Sequence, residues 1–211
     1  MTEFARSITG WGVSARLTTP SRDRLESALI GLPRGFRTST SPSRGPRFVV
    51  EMAGKNLKLA EGPRMIFAGK SKKAFRVAVA NAFETLASTH SRTFAFLHAG
   101  CVEMEGRVVV MPGRSHAGKS TLVRALLERG ALYLSDDMVP IDRRLRAHPF
   151  PRPLGIRSAT GGAPKRTPIK SLGAKPAERA LPIAMVWVGT YDPLCTRPTF
   201  KLRQGGAAFA E

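Results

Sequence analysis

Along the first part of the chain, apolar positions alternate and then change period. Residues 12–17 (GVSARL) alternate loosely, the two-residue period of a strand. Ser21 is placed as an N-cap, because a serine oxygen can accept from a free amide of the first helical turn. Leu25, Ala28, Leu29 and Leu32 follow on one face, which predicts a short helix ending near Gly31 and Pro33. Residues 34–46 are polar and rich in Gly, Pro and Ser, which predicts a loop. Residues 48–52, 57–59 and 65–68 read as short strands separated by glycine-containing turns, most economically one antiparallel sheet. From Lys72 the period lengthens. Phe75, Val79, Phe83 and Leu86 recur every three or four residues, which predicts an amphipathic helix over 72–88.

The second part reads as strands around a helix. Residues 94–104 and 107–111 form two strands joined by a short turn at Glu105-Gly106. The unbroken apolar run Val108, Val109, Val110 is the pattern of a strand buried on both faces. Residues 119–129 form a helix with the stripe Leu122, Val123, Leu126 and Leu127, closed by a C-terminal glycine at Gly130. A strand over 131–135 ends at Asp136-Asp137, and short apolar stretches follow at 138–141 and 154–157. Residues 159–180 carry three prolines, three glycines and five basic residues with no period, which predicts an irregular loop. Residues 182–189 (PIAMVWVG) predict a buried strand, with no closing helix after it.

Composition narrows the class. With 211 residues and 42% apolar residues, the chain can build a core, in one domain or a domain plus a small extension. Cys101 and Cys195 are its two cysteines, which excludes a disulfide scaffold and a four-cysteine zinc site. No apolar run approaches the roughly 18 residues of a membrane helix, and the first residues lack the apolar stretch of a secretory signal. The expectation is a soluble, cytoplasmic protein with no membrane insertion.

The net charge is +19, unevenly distributed. Residues 1–100 carry 16 basic and 6 acidic side chains, residues 101–150 carry 8 and 6, and residues 151–211 carry 10 and 3. The nearly neutral middle block holds the one motif with a clear chemistry. Residues 113–120 read Gly-Arg-Ser-His-Ala-Gly-Lys-Ser, the phosphate-loop pattern G-x-x-x-x-G-K-[ST], with a predicted buried strand before it and an amphipathic helix after it. In that context Gly113, Arg114, Ser115, His116, Ala117, Gly118, Lys119, Ser120 and Thr121 form the nucleotide-binding candidate. Loop amides and the helix N-terminus would face phosphate oxygens, Lys119 would reach the β- and γ-phosphates, and Ser120 would hold magnesium. Asp136 and Asp137 end the next strand, where carboxylates can hold the cation or accept a proton. His98 ends the apolar run 94–97; on its own it reads as a core histidine. His90, His116 and His148 show no metal-ligand spacing.

These residues resemble a known family. Leu97-His98-Ala-Gly-Cys, then Glu-Gly-Arg-Val-Val-Val-Met-Pro-Gly, the phosphate loop, Leu-Ser135-Asp136-Asp137 and the segment Phe150 to Arg157 look like the catalytic domain of bacterial HPr kinase/phosphorylase, and most like its divergent relatives, over residues 72–157. The resemblance implies an α/β fold: a P-loop kinase core of the HPr kinase/PEP carboxykinase-like type over 71–211, with a small N-terminal α+β region over 1–70. It implies ATP- and magnesium-dependent phosphorylation of a hydroxyl, with Lys119 on the phosphates, Ser120 on magnesium, Asp136 as catalytic base, His98 beside Asp136 tuning it, and Asp137 assisting with the metal. The Glu-Ile-Arg-Gly signature of true HPr kinases is absent, which argues against HPr itself as acceptor. Family chains also continue beyond the strand at 182–189, so a shortened C-terminal part is expected.

Two other readings stay open. One is a nucleotide-binding module with little catalysis. The other is a nucleic-acid-binding protein, suggested by charge but disfavoured because aromatic residues are 7% of the chain and sit mostly in apolar runs. As the excess charge lies in the flanks, especially 1–76 and 143–179, it points to partner choice: an acidic protein or peptide acceptor, with Lys165, Arg166 and Lys170 among the contacts. A homo-oligomer is left open.

Overall fold

The computed structural model describes residues 3–39, 41–53, 55–114, 117–156, 163–189, 194, 197 and 201. Among these residues it is a mixed α/β structure in which sheets predominate over three α-helices. Among the described residues no helix is long and apolar enough to cross a membrane.

The N-terminal half opens with a hairpin, β1 (Phe4–Gly10) and β2 (Val13–Thr19). Its two-residue turn, Trp11-Gly12, has positive φ at both positions (52° and 75°), the backbone that suits a right-twisted hairpin. Helix α1 (Arg22–Leu29), β3 (Arg37–Ser39), β4 (Arg47–Ala53), β5 (Asn56–Glu61) and β6 (Arg64–Gly69) follow. They assemble a six-stranded sheet in the order β3-β1-β2-β4-β5-β6, antiparallel except where β2 meets β4. The expected loop at 34–46 therefore contains a strand, and β1 lacks the clear alternation that would have marked it. Ser21 has the extended backbone of an N-cap, but its side chain makes no capping bond.

Helix α2 (Lys72–His90) is capped by Ser71, whose hydroxyl accepts from the Ala74 amide at 3.2 Å. Its stripe of Phe75, Val79, Phe83 and Leu86 packs into one core with Ile8, Leu17, Phe48, Val50 and Leu59. A division at residue 70 assigns this helix to the second half, whereas its apolar face belongs with the first sheet.

The second half contains β7 (Phe94–Leu97), β8 (Ala99–Met104), β9 (Arg107–Pro112), α3 (Lys119–Leu127), β10 (Leu132–Ser135), β11 (Val139–Asp142), β12 (Arg146–Ala147), the hairpin β13 (Leu154–Ile156) and β14 (Lys165–Thr167), a 3₁₀ turn at Ile169–Leu172, and β15 (Leu181–Val186). Seven strands order as β10-β8-β9-β15-β12-β11-β7, with β9 and β15 parallel. Side chains from six of them meet in one cluster that includes Cys101, Val108, Val110, Leu134, Val139 and Leu181. Helix α3 packs Val123 and Leu127 on the other side with Val102, Met111, Tyr133 and Leu154. The stretch at 159–180 is corrected in part: β14 and the 3₁₀ turn lie within it. The expectation of a buried strand at 182–189 is also corrected, since Met185, Val186 and Val188 are exposed.

The two halves meet at Trp11. Its indole projects from the β1–β2 turn and meets Phe94, Phe96, His148 and Phe150 edge-on, with ring centroids 5.2–6.3 Å apart.

Candidate active site around the phosphate loop and two aspartates

Two extended segments, 94–104 and 132–142, run antiparallel and share one interruption. Leu97 pairs with Val139 on one side of it and Cys101 pairs with Ser135 on the other. Between these pairs His98 faces the Asp136–Met138 stretch, and β9 ends beside it, where Pro112 pairs with Ala99. The candidate residues thus gather where the ladder is broken and side chains are released from strand packing.

From β9 the chain enters the loop at Gly113 and leaves it into α3 at Lys119. Gly118 adopts a left-handed backbone (φ 81°) that L side chains disfavour, which is why glycine suits this position. Its carbonyl accepts the first helical bond, from the Leu122 amide at 3.0 Å. Gly100 permits the close seating of α3 on β8: a β-carbon there would come within 2.8 Å of a Val123 methyl. Lys119 is buried and folds back across the loop, its Nζ donating to the Gly113 and Arg114 carbonyls at 2.7 and 2.8 Å. Burial pushes its pKa down, and the charges of Asp137 and Asp136 push it back up. Ala117 is half-buried in the loop, while Arg114 and Thr121 are exposed. Ser115 and His116 lie outside the described residues.

Asp136 is buried and enclosed. Its Oδ1 accepts from the Tyr133 hydroxyl at 2.8 Å; its Oδ2 accepts from the Gly155 amide at 2.9 Å and from the Ser120 hydroxyl at 3.4 Å. The Tyr133 hydroxyl also lies 3.0 Å from the Arg152 carbonyl. Burial, followed by the Asp136 charge, drives the Tyr133 pKa up, so the phenol stays a proton donor. Ser135 is fully buried, and its hydroxyl accepts from the Met138 amide at 3.3 Å, which turns the chain so that the next carboxylate points elsewhere.

Asp137 is the more open carboxylate. Its Oδ1 lies 3.1 Å from His98 Nδ1, and its Oδ2 accepts from Arg152 Nη1 at 2.9 Å, with Arg166 Nη2 at 3.9 Å. The expectation that His98 sits beside Asp136 is therefore corrected. Pairing Leu97 with Val139 carries the next residue toward Asp137, while Asp136 stays with β10 and turns to α3 and β13. Arg166, expected among acceptor contacts, stands next to Asp137.

Two site residues escaped the sequence. Arg152 Nη1 bridges Asp137 and the buried Glu84 of α2, at 2.9 and 3.1 Å. Burial raises the Glu84 pKa, and Arg152 pulls it back. The one available signal was a glutamate on the buried side of α2, one residue from Phe83. Arg152 stood in the proline-rich segment Phe150 to Arg157, which carried the resemblance but marked no role for this residue.

Among the described residues no group of three or more His, Cys, Asp or Glu side chains gathers to hold a metal. The Ser120 hydroxyl and the Asp136 carboxylate, 3.4 Å apart, are nonetheless an all-oxygen pair. That suits magnesium, which takes one or two protein oxygens and completes its shell with phosphate and water. No family model, curated protein or solved structure matches this chain.

Proposed function

We propose that the chain is an ATP-dependent kinase with a P-loop core of the HPr kinase type, transferring the γ-phosphoryl group to a hydroxyl of an acidic protein or peptide. The observation that carries this reading is the contact between Ser120, in the first turn after the Gly-Lys-Ser loop, and the buried Asp136. A phosphate-loop hydroxyl beside a strand-end carboxylate is the pairing used to hold a nucleotide-bound cation. Magnesium, when bound, would neutralise charge on the β- and γ-phosphate oxygens, with Ser120 and Asp136 as its protein ligands, directly or through water.

The geometry favours exchanging the roles the resemblance implies for the two aspartates. Asp136 is buried and accepts hydrogen bonds from Tyr133, Gly155 and Ser120, which fits holding rather than proton transfer. Asp137 is more open and is oriented by His98. In this reading Lys119 exchanges its loop carbonyls for phosphate oxygens. Asp137 accepts the acceptor hydroxyl's proton as that oxygen bonds to the γ-phosphorus and the bond to the β–γ bridging oxygen breaks, releasing ADP. Arg152 and Arg166 supply positive charge where the phosphoryl group would pass.

The test separates binding from transfer. Lys119→Ala is expected to abolish ATP–magnesium binding by calorimetry. Asp137→Asn is expected to bind ATP normally while transfer from γ-labelled ATP falls at least a hundredfold. Unchanged ATP affinity in Lys119→Ala would sink the reading. Tight ATP binding by the unaltered chain with no transfer or hydrolysis would reduce it to a nucleotide-binding module.

A further inference from the structure

A cavity of about 320 Å³ lies at the seam between the two halves, away from the phosphate loop. Trp11, Arg34 and Arg37 border it from the N-terminal half; His148, Glu178 and Arg179 border it from the second. The His148 ring is engaged by Asp142, with Nε2 3.0 Å from Oδ2. The Trp11 indole nitrogen donates to the Arg34 carbonyl at 2.9 Å, which fixes the loop that carries Arg34 and Arg37. By contrast, the guanidinium groups of Arg34, Arg37 and Arg179 have no hydrogen-bond or ion-pair partner among the described residues. Three arginines with unpartnered guanidiniums and one carboxylate residue, Glu178, line the cavity, so its rim carries excess positive charge with donors suited to carboxylates.

The cavity is tied to the candidate active site by a short piece of chain. His148 lines it, and four residues later Arg152 binds Asp137. Four residue steps of extended chain reach at most about 14 Å. A peptide lying beside this segment with a hydroxyl at Asp137 brings its residues four or five positions away to the arginines. We infer that this cavity docks an acidic stretch of the phosphoacceptor, Asp or Glu residues placed about four or five positions from the phosphorylated hydroxyl. The inference rests on the kinase reading for the hydroxyl, but the cavity's own binding does not require ATP.

The experiment uses the full chain and three fluorescent peptides. One has a serine with three glutamates starting four residues away, one has glutamines at those positions, and one has the glutamates ten residues away. Binding is read by anisotropy without ATP, and transfer is read with γ-labelled ATP. The first peptide is expected to bind at least tenfold more tightly than the glutamine peptide, with affinity falling as salt rises. Its binding is expected to weaken about tenfold in Arg34→Glu/Arg37→Glu and several-fold in Arg179→Glu, with ATP affinity unchanged. All three arginines are exposed, so the circular dichroism of the variants is expected to match the unaltered chain. Transfer is expected to favour the four-residue spacing over the ten-residue spacing.

Equal binding of glutamate and glutamine peptides, or equal binding by the arginine variants, overturns the docking site. So does binding of tripolyphosphate or single-stranded RNA that depends on these arginines while the acidic peptide fails to bind. Equal transfer to the peptides with four- and ten-residue spacing keeps the kinase reading and overturns docking. Arginine-dependent peptide binding with no transfer keeps the site and overturns the kinase reading.

Discussion

The Glu84–Arg152 pair offers a sharp energetic test, because it joins the long helix of the first half to the aspartates of the second. The Glu84 side chain is 7% exposed and that of Arg152 is 22% exposed, so solvent screens the pair little. Burial raises the Glu84 pKa in the folded chain, and the Arg152 charge offsets part of that rise. A carboxyl whose folded pKa lies above its unfolded value contributes stability that is complete below the unfolded pKa. That stability is lost as pH rises through the folded pKa. Arg152→Met removes the offset and leaves Glu84 buried without its cation. At pH 7 the variant is expected to lose about 3 kcal/mol, the lower end of the cost of orphaning a buried charge. At pH 4, close to the unfolded pKa of about 4.3, the carboxyl is largely neutral and the expected loss shrinks to about 1 kcal/mol. Glu84→Gln/Arg152→Met removes both charges and is expected to recover about 2 kcal/mol at pH 7. Urea unfolding followed by far-ultraviolet circular dichroism at the two pH values measures all three quantities. Equal destabilisation of Arg152→Met at pH 4 and pH 7 would refute the reasoning. So would a double variant no more stable than Arg152→Met at pH 7.

Other consequences follow from single contacts. Trp11→Ala removes a half-buried indole from four edge-on ring contacts and is expected to cost about 2 kcal/mol, seen as a fall in thermal midpoint of about 4–8 °C. Hydrogen bonds, first from His148 and then from Arg146 and Arg144, hold the Asp142 carboxyl well below the usual carboxylate range. It therefore contributes stability present above about pH 4 and lost as pH falls through the folded value. Asp142→Asn is expected to be less stable than the unaltered chain at pH 6 and to show a shallower loss on acidification, read by acid titration of the circular dichroism signal. Burial pushes the Cys101 thiol up to about 12, so native protein at pH 8 is expected to leave the Cys101 peptide unlabelled by iodoacetamide while urea-unfolded protein labels it, as read by mass spectrometry.

Much of the local architecture was legible because it depends on near neighbours. The three- and four-residue spacing of Phe75, Val79, Phe83 and Leu86 marked α2, and the run Val108–Val110 followed by Gly-x-x-x-x-Gly-Lys-Ser marked β9, the loop and α3. What failed depended on distant partners. Strands β3 and β14 have polar sequences and exist through their pairing with β1 and β13. Residues 94–104 read as one strand, whereas partner strands divide them at His98. The apolar sequence of β15 implied burial, but β12 pairs with it at Leu181 and Pro182 alone, and Met185 and Val186 remain exposed.

The same boundary runs through the candidate site. Sequence by itself determined which chemical groups stand close along the chain: the loop glycines, Lys119 and Ser120, and the adjacent aspartates. Spacing sufficed there because a few residues of backbone set their separation. Tertiary structure alone decided that His98 meets Asp137 and not Asp136, that Ser120 meets Asp136, and that Glu84 joins the site through Arg152. Asp136 and Asp137 lie in the bend between β10 and β11, outside the sheet ladder, so each took its partners from whichever strands and helices packed around it.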